Sequence, residues 1–294
     1  MLVSVILPTH NRRALLVAAL EALRRQTLSD SDYEVIVVAD ACTDGTAEAV
    51  RYLGSAFPGL QVTEVSVKNP ARGRNAGARL AQGKYLAFTD DDCLVDPGWL
   101  KALVDRLEEP GVVGVAGRTT TIWKDVTPLT HQVERQGDMR IVPTCNAAVS
   151  REAFEKIGGF YENFPYPFHE DTDLFWRLEA LGKVEYVPEA RVIHPPRKDS
   201  FSKAVRSLRY FESEFIVAAR HPALYRKNRS RSPWLFIYWF ILVRTHLQYL
   251  KNALGDIVLR RRIDYFFIRV AIVLARSGYL LRLLPRFRVV AKNS

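Results

Sequence analysis

The sequence predicts an α/β fold: a mostly parallel sheet with helices on both faces, followed by a basic helical C-terminal extension. Three observations carry this expectation. Short runs of continuous Val and Ile alternate with longer amphipathic runs through the first half of the chain, the pattern of strands buried on both faces and covered by helices. The stretch after each of the first four apolar runs is polar or charged (THNRR, DACTDG, KNPARGRN, DDD), and ligands of open parallel sheets bind beyond the carboxyl ends of the strands. Charge is also divided: residues 201–294 hold 19 Lys and Arg against 4 Asp and Glu, a net of +15, within a chain whose net charge is +10.

The elements follow in order. LVSVIL (2–7) reads as the first strand, and ALLVAALEALRRQ (14–26) has helical spacing. EVIVVA (34–39) is a second buried strand, with a helix starting near Asp44 in TDGTAEAVRYL. QVTEVSV (61–67) is the third strand, and NAGARLAQG (75–83) a helix closed by Gly83. KYLAFT (84–89) is the fourth strand, and DPGWLKALVDRLEE (96–109) a helix with Pro97 in its first turn. Beyond Val112 the pattern is less regular. FHEDTDLFWRLEALG (168–182) reads as an amphipathic helix with its carboxylates in the first turn, where the helix dipole favours negative charge. VEYVPEARVIHPP (184–196) reads as two short strands or one extended segment, and HPPRKDS (194–200) as a boundary between a domain over 1–200 and a region over 201–294.

Composition sets the outer limits. A chain of 294 residues, 48% hydrophobic and 25% charged, has the balance of a globular protein with a real core. Cys42, Cys93 and Cys145 are too few and too scattered for a disulfide framework or a zinc site and fit a reducing compartment. The N-terminus opens directly into strand sequence without the basic and apolar regions of a signal peptide, so the catalytic part is expected to face the cytoplasm.

The triplet Asp90–Asp91–Asp92 is the first chemical signal. Adjacent carboxylates repel and are costly to desolvate unless positive charge sits among them. A divalent cation, Mg²⁺ or Mn²⁺, supplies that charge through oxygen ligands; a solvated acidic turn is the alternative. Asp90 and Asp92 share a side if the chain stays extended. Glu170, Asp171 and Asp173 form a second acidic group, readable as a catalytic cluster or as a solvated helix start.

LPTHNR, VVADACTDGT, GRNAGARLAQGKYLAFTDDD and HEDTDL, in this order, resemble glycosyltransferase family 2, and the resemblance covers roughly residues 1–200. It implies a GT-A, Rossmann-like fold. It also implies an inverting, metal-dependent transfer of a sugar from a nucleoside diphosphate (UDP-, GDP- or dTDP-linked) to a hydroxyl of a saccharide or lipid-linked acceptor. By this resemblance Asp40 contacts the nucleotide base, Asp90, Asp91 and Asp92 form the DxD motif, and Arg74 lies near the nucleotide. Pro8, Thr9, Asn11, Arg12, Arg72 and Asn75 are expected to complete the donor site. Asp92 and Asp90 would hold the metal, Asp171 would act as general base and Glu170 beside it. The family's Gly-Ser after the base-binding Asp is Ala41-Cys42 here, which bears on nucleotide preference. His194 is either a third metal ligand or a packed strand-end residue. Asn146 either lines the donor-sugar or acceptor side or is a buried amide bonded to backbone. Trp176 and the aromatics of GGFYENFPYPF are either a stacking wall or core. Neither Cys42 nor Cys93 has a general base next to it in sequence, so neither reads as a nucleophile.

The basic extension points to an anionic partner. WLFIYWFILV (234–243) and YFFIRVAIVLARSGYLLRLL (265–284) are too short or too interrupted by arginine to span a bilayer. With Arg269, Arg276 and Arg282 along one side and RRR at 260–262, they read as helices lying in a membrane interface with their basic face on anionic headgroups. A helical subdomain packed on the catalytic domain or on a second copy is the alternative. No nucleic-acid module is recognisable. The expected location is the inner face of the cell membrane, in cell-envelope polysaccharide or glycolipid synthesis. A nucleotidyltransferase and a non-catalytic sugar-nucleotide-binding membrane scaffold are the competing functions. The first is disfavoured because THNRR is not a glycine-rich triphosphate loop, the second because it needs no Asp171 beside an intact DDD.

Overall fold

The computed structural model describes residues 1–122, 126–134, 136–137, 142–228, 243–258 and 262–292, with side chains at 211, 245 and 280–292 left aside. The chain divides into two compact units. The first comprises Met1–Ile122, Gln132–Asn163 and Glu170–Pro195, and the second Trp123–His131, Phe164–His169 and Pro196–Ser294.

The first unit is an α/β layer structure. Strands β1 (Val3–Thr9), β2 (Tyr33–Asp40), β3 (Leu60–Val65) and β4 (Tyr85–Thr89) alternate with helices α1 (Arg13–Leu23), α2 (Thr46–Gly54) and α3 (Pro70–Leu80). The short β5 (Leu94–Val95) and helix α4 (Trp99–Leu107) follow, then β6 (Val112–Thr120), β8 (Asn146–Ser150), α5 (Arg151–Lys156), α6 (Glu170–Leu178) and β9 (Lys183–Ile193); the two-residue β7 (Thr130–His131) belongs to the second unit. The sheet order is β3-β2-β1-β4-β8-β6-β9-β5. The first four strands run parallel, as expected; β8 then pairs antiparallel with both β4 and β6.

Buried side chains on the two sheet faces build two cores. One packs Val5, Leu7, Val35 and Val37 against α1 and α4; the other packs Ile6, Ile36, Val38 and Phe88 with Ala71, Phe154 and Phe175. Alternation along β1 assigns Val5 and Leu7 to one face and Ile6 to the other. Helix α3 lies close on β1: a Cβ at Gly77 would sit 2.6 Å from Ile6 Cγ2, so only glycine allows this approach.

Several boundaries differ from the sequence reading. Helix α4 begins at Trp99, whose N–H bonds to the Asp96 carbonyl, so Pro97 lies in the turn before the helix. Of the two readings of residues 184–196, the extended segment holds: β9 (Lys183–Ile193) is one strand of 11 residues. Its register against β6 shifts between Gly117 and Arg118, which face Val187 and Arg191, so Pro188 falls in the irregularity and costs no ladder bond.

The second unit contains β7 paired with β10 (Arg197–Lys198) and helices α7 (Phe201–Arg206), α8 (Glu212–Arg220), α9 (Pro222–Asn228), α10 (Thr245–Val258) and α11 (Ile263–Lys292). No helix among the described residues is long and apolar enough to cross a membrane. The 234–243 segment lies outside the described residues except for Val243.

Candidate active site

The parallel pairing of β1 and β4 brings Thr9–Arg12 beside Asp90–Asp92. Thr9 donates its hydroxyl to Asp91 Oδ2 at 2.7 Å, and Arg12 donates to Asp91 Oδ1 at 2.8 Å and to Asp92 Oδ2 at 3.3 Å. Both oxygens of the buried Asp91 are therefore engaged within the protein, and this carboxylate latches the ends of the two strands. Strand β4 stops at Thr89 and the chain turns at 91–92, so Asp90 and Asp92 do not alternate along an extended strand. The turn still unites them. One donor atom each from Asp90, Asp92, Cys93 and His194 lies within 4.8 Å of the others, and His194 Nε2 is 3.5 Å from Asp92 Oδ1. His194 is held there at the end of β9 by its N–H, which bonds to Thr120 O at 2.8 Å. The two carboxylates and the imidazole form a donor set that suits a divalent cation such as Mn²⁺, with the Cys93 thiol beside them. Cys93 was missed from sequence; its one signal there was adjacency to Asp92. Its thiol is pushed well up by a hydrogen bond with Cys145 and by burial.

Arg74 links the two acidic groups. It projects from α3, is 5% exposed, and donates to Asp90 Oδ1 at 2.9 Å and to Glu170 Oε1 at 3.3 Å. Burial pulls its pKa down, but the charges of Asp90 and Glu170 outweigh that and raise it. Its guanidinium also stands 5.7 Å from the Phe160 ring centroid. Glu170 is buried in the first turn of α6, and desolvation, with repulsion from Asp171, lifts it from 4.5 to about 7 against the pull of Arg74. A carboxyl with a raised pKa binds its proton more tightly in the folded chain. Its contribution to stability is then complete below pH 4.5 and lost as pH rises through 7. Unfolding free energy is expected to fall by up to ~1.4 kcal/mol per pH unit across that window. Chemical denaturation of Glu170→Gln should lack that slope; an unchanged slope would assign it to another group.

Asp171 is half-buried. Its Oδ1 accepts the Thr172 N–H at 2.6 Å and the Thr172 hydroxyl at 3.3 Å, and Oδ2 has no hydrogen-bond partner among the described residues. Asp173, in the same turn, is fully buried and paired to Arg177 at 2.6 Å. Arg177 in turn donates to the carbonyls of Ile157 and Gly159, so Asp173 has a framework role.

Asp40 ends β2 and organises the entry to α3. Its Oδ1 accepts the N–H groups of Val67 (2.8 Å) and Lys68 (2.9 Å), and Oδ2 that of Asn69 (3.2 Å). Asn69 then caps α3 by accepting Arg72 N at 3.2 Å. Asn11 Oδ1 accepts the Thr43 N–H at 2.7 Å, joining the first two post-strand loops, and Pro8 precedes them on β1. Arg72 is exposed, with Nε 3.6 Å from Glu162 Oε2; Asn75 is bonded to both N–H and C=O of Phe160 and to Glu162.

Three expectations are corrected. Asn146 is 0% exposed: its Oδ1 accepts from Trp99 Nε1 at 2.8 Å, and its Nδ2 donates to the carbonyls of Arg118 and Ala190, so it is a core amide and not part of the donor wall. Trp176 and Phe160 are likewise core, 1% and 2% exposed, and form no stacking wall. Of the basic face expected along α11, Arg269 and Arg276 turn inward on the helices of the second unit, while residues 260–261 and the Arg282 side chain lie outside the described residues.

Residues 4–158 match the family model for glycosyl transferase family 2. The chain belongs to that family. This family-2 chain is 28% identical over 210 residues to glycosyltransferase AglE of Haloferax volcanii, covering 66% of the chain and 67% of AglE. Its fold is GT-A. It superposes on mannosyltransferase PcManGT of Pyrobaculum calidifontis, solved with GDP-Man and Mn²⁺, with a TM-score of 0.64 at 21% identity, over 95% of this chain and 86% of that one. It superposes on S. aureus TarS 1-349, solved with UDP-GlcNAc, with a TM-score of 0.59 at 17% identity, over 99% and 91%. The chain spans about half to two thirds of the length of the first curated relatives it matches.

Proposed function

We propose that this chain is an inverting, metal-dependent glycosyltransferase that moves a sugar from a nucleoside diphosphate to an acceptor hydroxyl in cell-envelope polysaccharide or glycolipid synthesis. The observation that carries this reading is the Arg74 bridge, which ties the DDD turn after β4 to the acidic start of α6. Family membership and neighbours solved with GDP-Man and Mn²⁺ and with UDP-GlcNAc support it.

Asp92, Asp90 and His194 would hold a divalent cation, which supplies Lewis-acid stabilisation of the departing diphosphate. The chain's own groups do the rest. Arg12, half-buried beside Asp91 and Asp92, keeps a positive charge at the β1 terminus and orients both carboxylates. Arg72, exposed in the first turn of α3, offers a second positive group to the diphosphate. Asp171, with Oδ1 fixed by Thr172, keeps Oδ2 to accept the proton of the attacking hydroxyl. Attack from the face opposite the leaving group inverts the anomeric centre. Asp40, with Pro8, Thr9, Asn11 and Asn75 around it, frames the nucleotide side, directly or by holding the loops that contact it. The acceptor is a saccharide or lipid-linked, and the basic C-terminal region meets an anionic membrane surface at the inner face of the cell membrane.

Incubating the chain with UDP-, GDP- and dTDP-sugars and Mn²⁺ should release nucleoside diphosphate from one of them. Release of pyrophosphate from a nucleoside triphosphate would favour a nucleotidyltransferase instead. His194→Ala is expected to weaken Mn²⁺ affinity at least about 10-fold, the lower end of what even an outer-shell partner contributes, read by Mn²⁺ paramagnetic resonance without substrate. Unchanged affinity would remove His194 from the metal set.

A further inference from the structure

The two helices α10 and α11 bury charged side chains alongside the apolar Ala253 and Ile272, and carry a set of exposed large apolar side chains. Between the helices, Arg269 pairs with Asp256, both nearly buried. Arg276, 3% exposed, stands over the Tyr249 ring at 6.0 Å, and His246 Nε2 meets Ser277 Oγ at 3.1 Å. Part of the outer side is apolar, beside the exposed Gln248, Lys251 and Asn252. On α10, Leu247, Leu250, Leu254 and Ile257 are exposed and recur every three to four residues, and Val258 joins them in one continuous sector of the helix. On α11, Ile263, Phe267 and Leu274 are 61%, 64% and 66% exposed on one stripe. At the edge of the α10 sector, Arg244, Leu247, Gln248 and Lys251 line a cavity of about 370 Å³.

We infer that the outer face of the α10–α11 pair inserts into the acyl layer of an anionic bilayer, with Arg269 and Arg276 sequestered between the helices and Arg244 and Lys251 meeting headgroup phosphates at the margin. This extends the membrane-surface reading above and alters its mode: insertion of aliphatic side chains, with Arg269 and Arg276 withdrawn from the headgroups. With Arg269 paired to Asp256 between the helices, neither charge faces the acyl layer. A second copy of the chain is the other occupant such a face invites. Charge decides against it, since residues 201–294 carry a net +15 that two copies would oppose to itself, whereas anionic lipid complements it. Neither helix needs to span: each lies at the interface, apolar side down.

The test uses the full chain and vesicles of phosphatidylcholine with about one third phosphatidylglycerol. Binding by flotation is expected to persist in ~1 M salt, where headgroup attraction is screened to about 3 Å. In Phe267→Trp, the emission gained over the unsubstituted chain should shift to the blue with vesicles and be quenched by lipids brominated on the acyl chain. The double variant Phe267→Glu with Leu274→Glu, both exposed positions with little bearing on folding, should bind at least about tenfold less in the same salt. Three results would overturn the inference: binding abolished by salt, emission unmoved by vesicles, or a Phe267→Trp blue shift that needs only higher protein concentration and accompanies dimer formation. Donor hydrolysis measured without vesicles does not involve this face, so failure here leaves the catalytic reading to be judged on its own.

Discussion

Asp171→Asn is expected to lower the rate constant for sugar transfer about 10²- to 10⁴-fold, the range a positioned general base contributes. Donor affinity should stay unchanged. The amide keeps the shape of the carboxylate and can still accept the Thr172 N–H that fixes Oδ1, so the start of α6 need not rearrange. What is lost is the ability of Oδ2 to take a proton. The experiment is a comparison of transfer kinetics with the binding isotherm of the donor. Near-normal transfer with normal binding removes Asp171 from the base role; loss of binding would show that it holds the donor. The Asn variant should also pull the neighbouring Glu170 back toward its ordinary pKa, because repulsion from Asp171 is the second cause of its upward shift.

Arg74→Ala should have the largest effect on the fold. Arg74 is the cation shared by Asp90 and Glu170, and removing one partner of a buried pair costs about 3–5 kcal/mol, because the remaining charge is left uncompensated in a poorly solvated site. Urea unfolding at neutral pH is the measurement. The loss should shrink at pH 5, where Glu170 can stay protonated without its partner. Arg74→Lys restores the charge but cannot fork to two carboxylates 16 and 96 residues away in sequence, so it should recover only part of the stability. A cost below about 1 kcal/mol for Arg74→Ala, the level of a surface ion pair, would mean that the two acidic groups do not depend on this bridge.

The alternation of strands and helices through β4 was legible because strands buried on both faces, such as β1 and β2, are largely apolar, and runs such as VIVVA are short and bounded by polar stretches. Strand β3, at the sheet edge and half-buried, gave a weaker signal. The DDD and HED groups were legible as separate signals; their connection was not. Nothing in the sequence says that the guanidinium of Arg74 reaches both, since that depends on α3 lying against β1 at Gly77. The antiparallel insertion of β8 was equally hidden, because NAAVS has no direction in its pattern. Asn146 shows a different limit: an amide serves a ligand or two backbone carbonyls with the same atoms, and burial alone separates the cases. For Arg269 and Arg276, spacing placed them on one helix face but could not say which way that face looked. Asp256, the group that turns Arg269 inward, lies on another helix.

The three consecutive strands β1, β2 and β3 are followed closely by Asn11, Ala41 and Lys68, non-glycine residues in the left-handed region with φ of 51°, 51° and 48°. At Ala41 and Lys68 this conformation carries a steric penalty of roughly 1–2 kcal/mol, whereas asparagine adopts it more readily. The loops above the sheet are therefore held in these conformations by the rigid layer beneath them. Such a mould favours occupants that fit it as it stands and penalises those that would require it to flex.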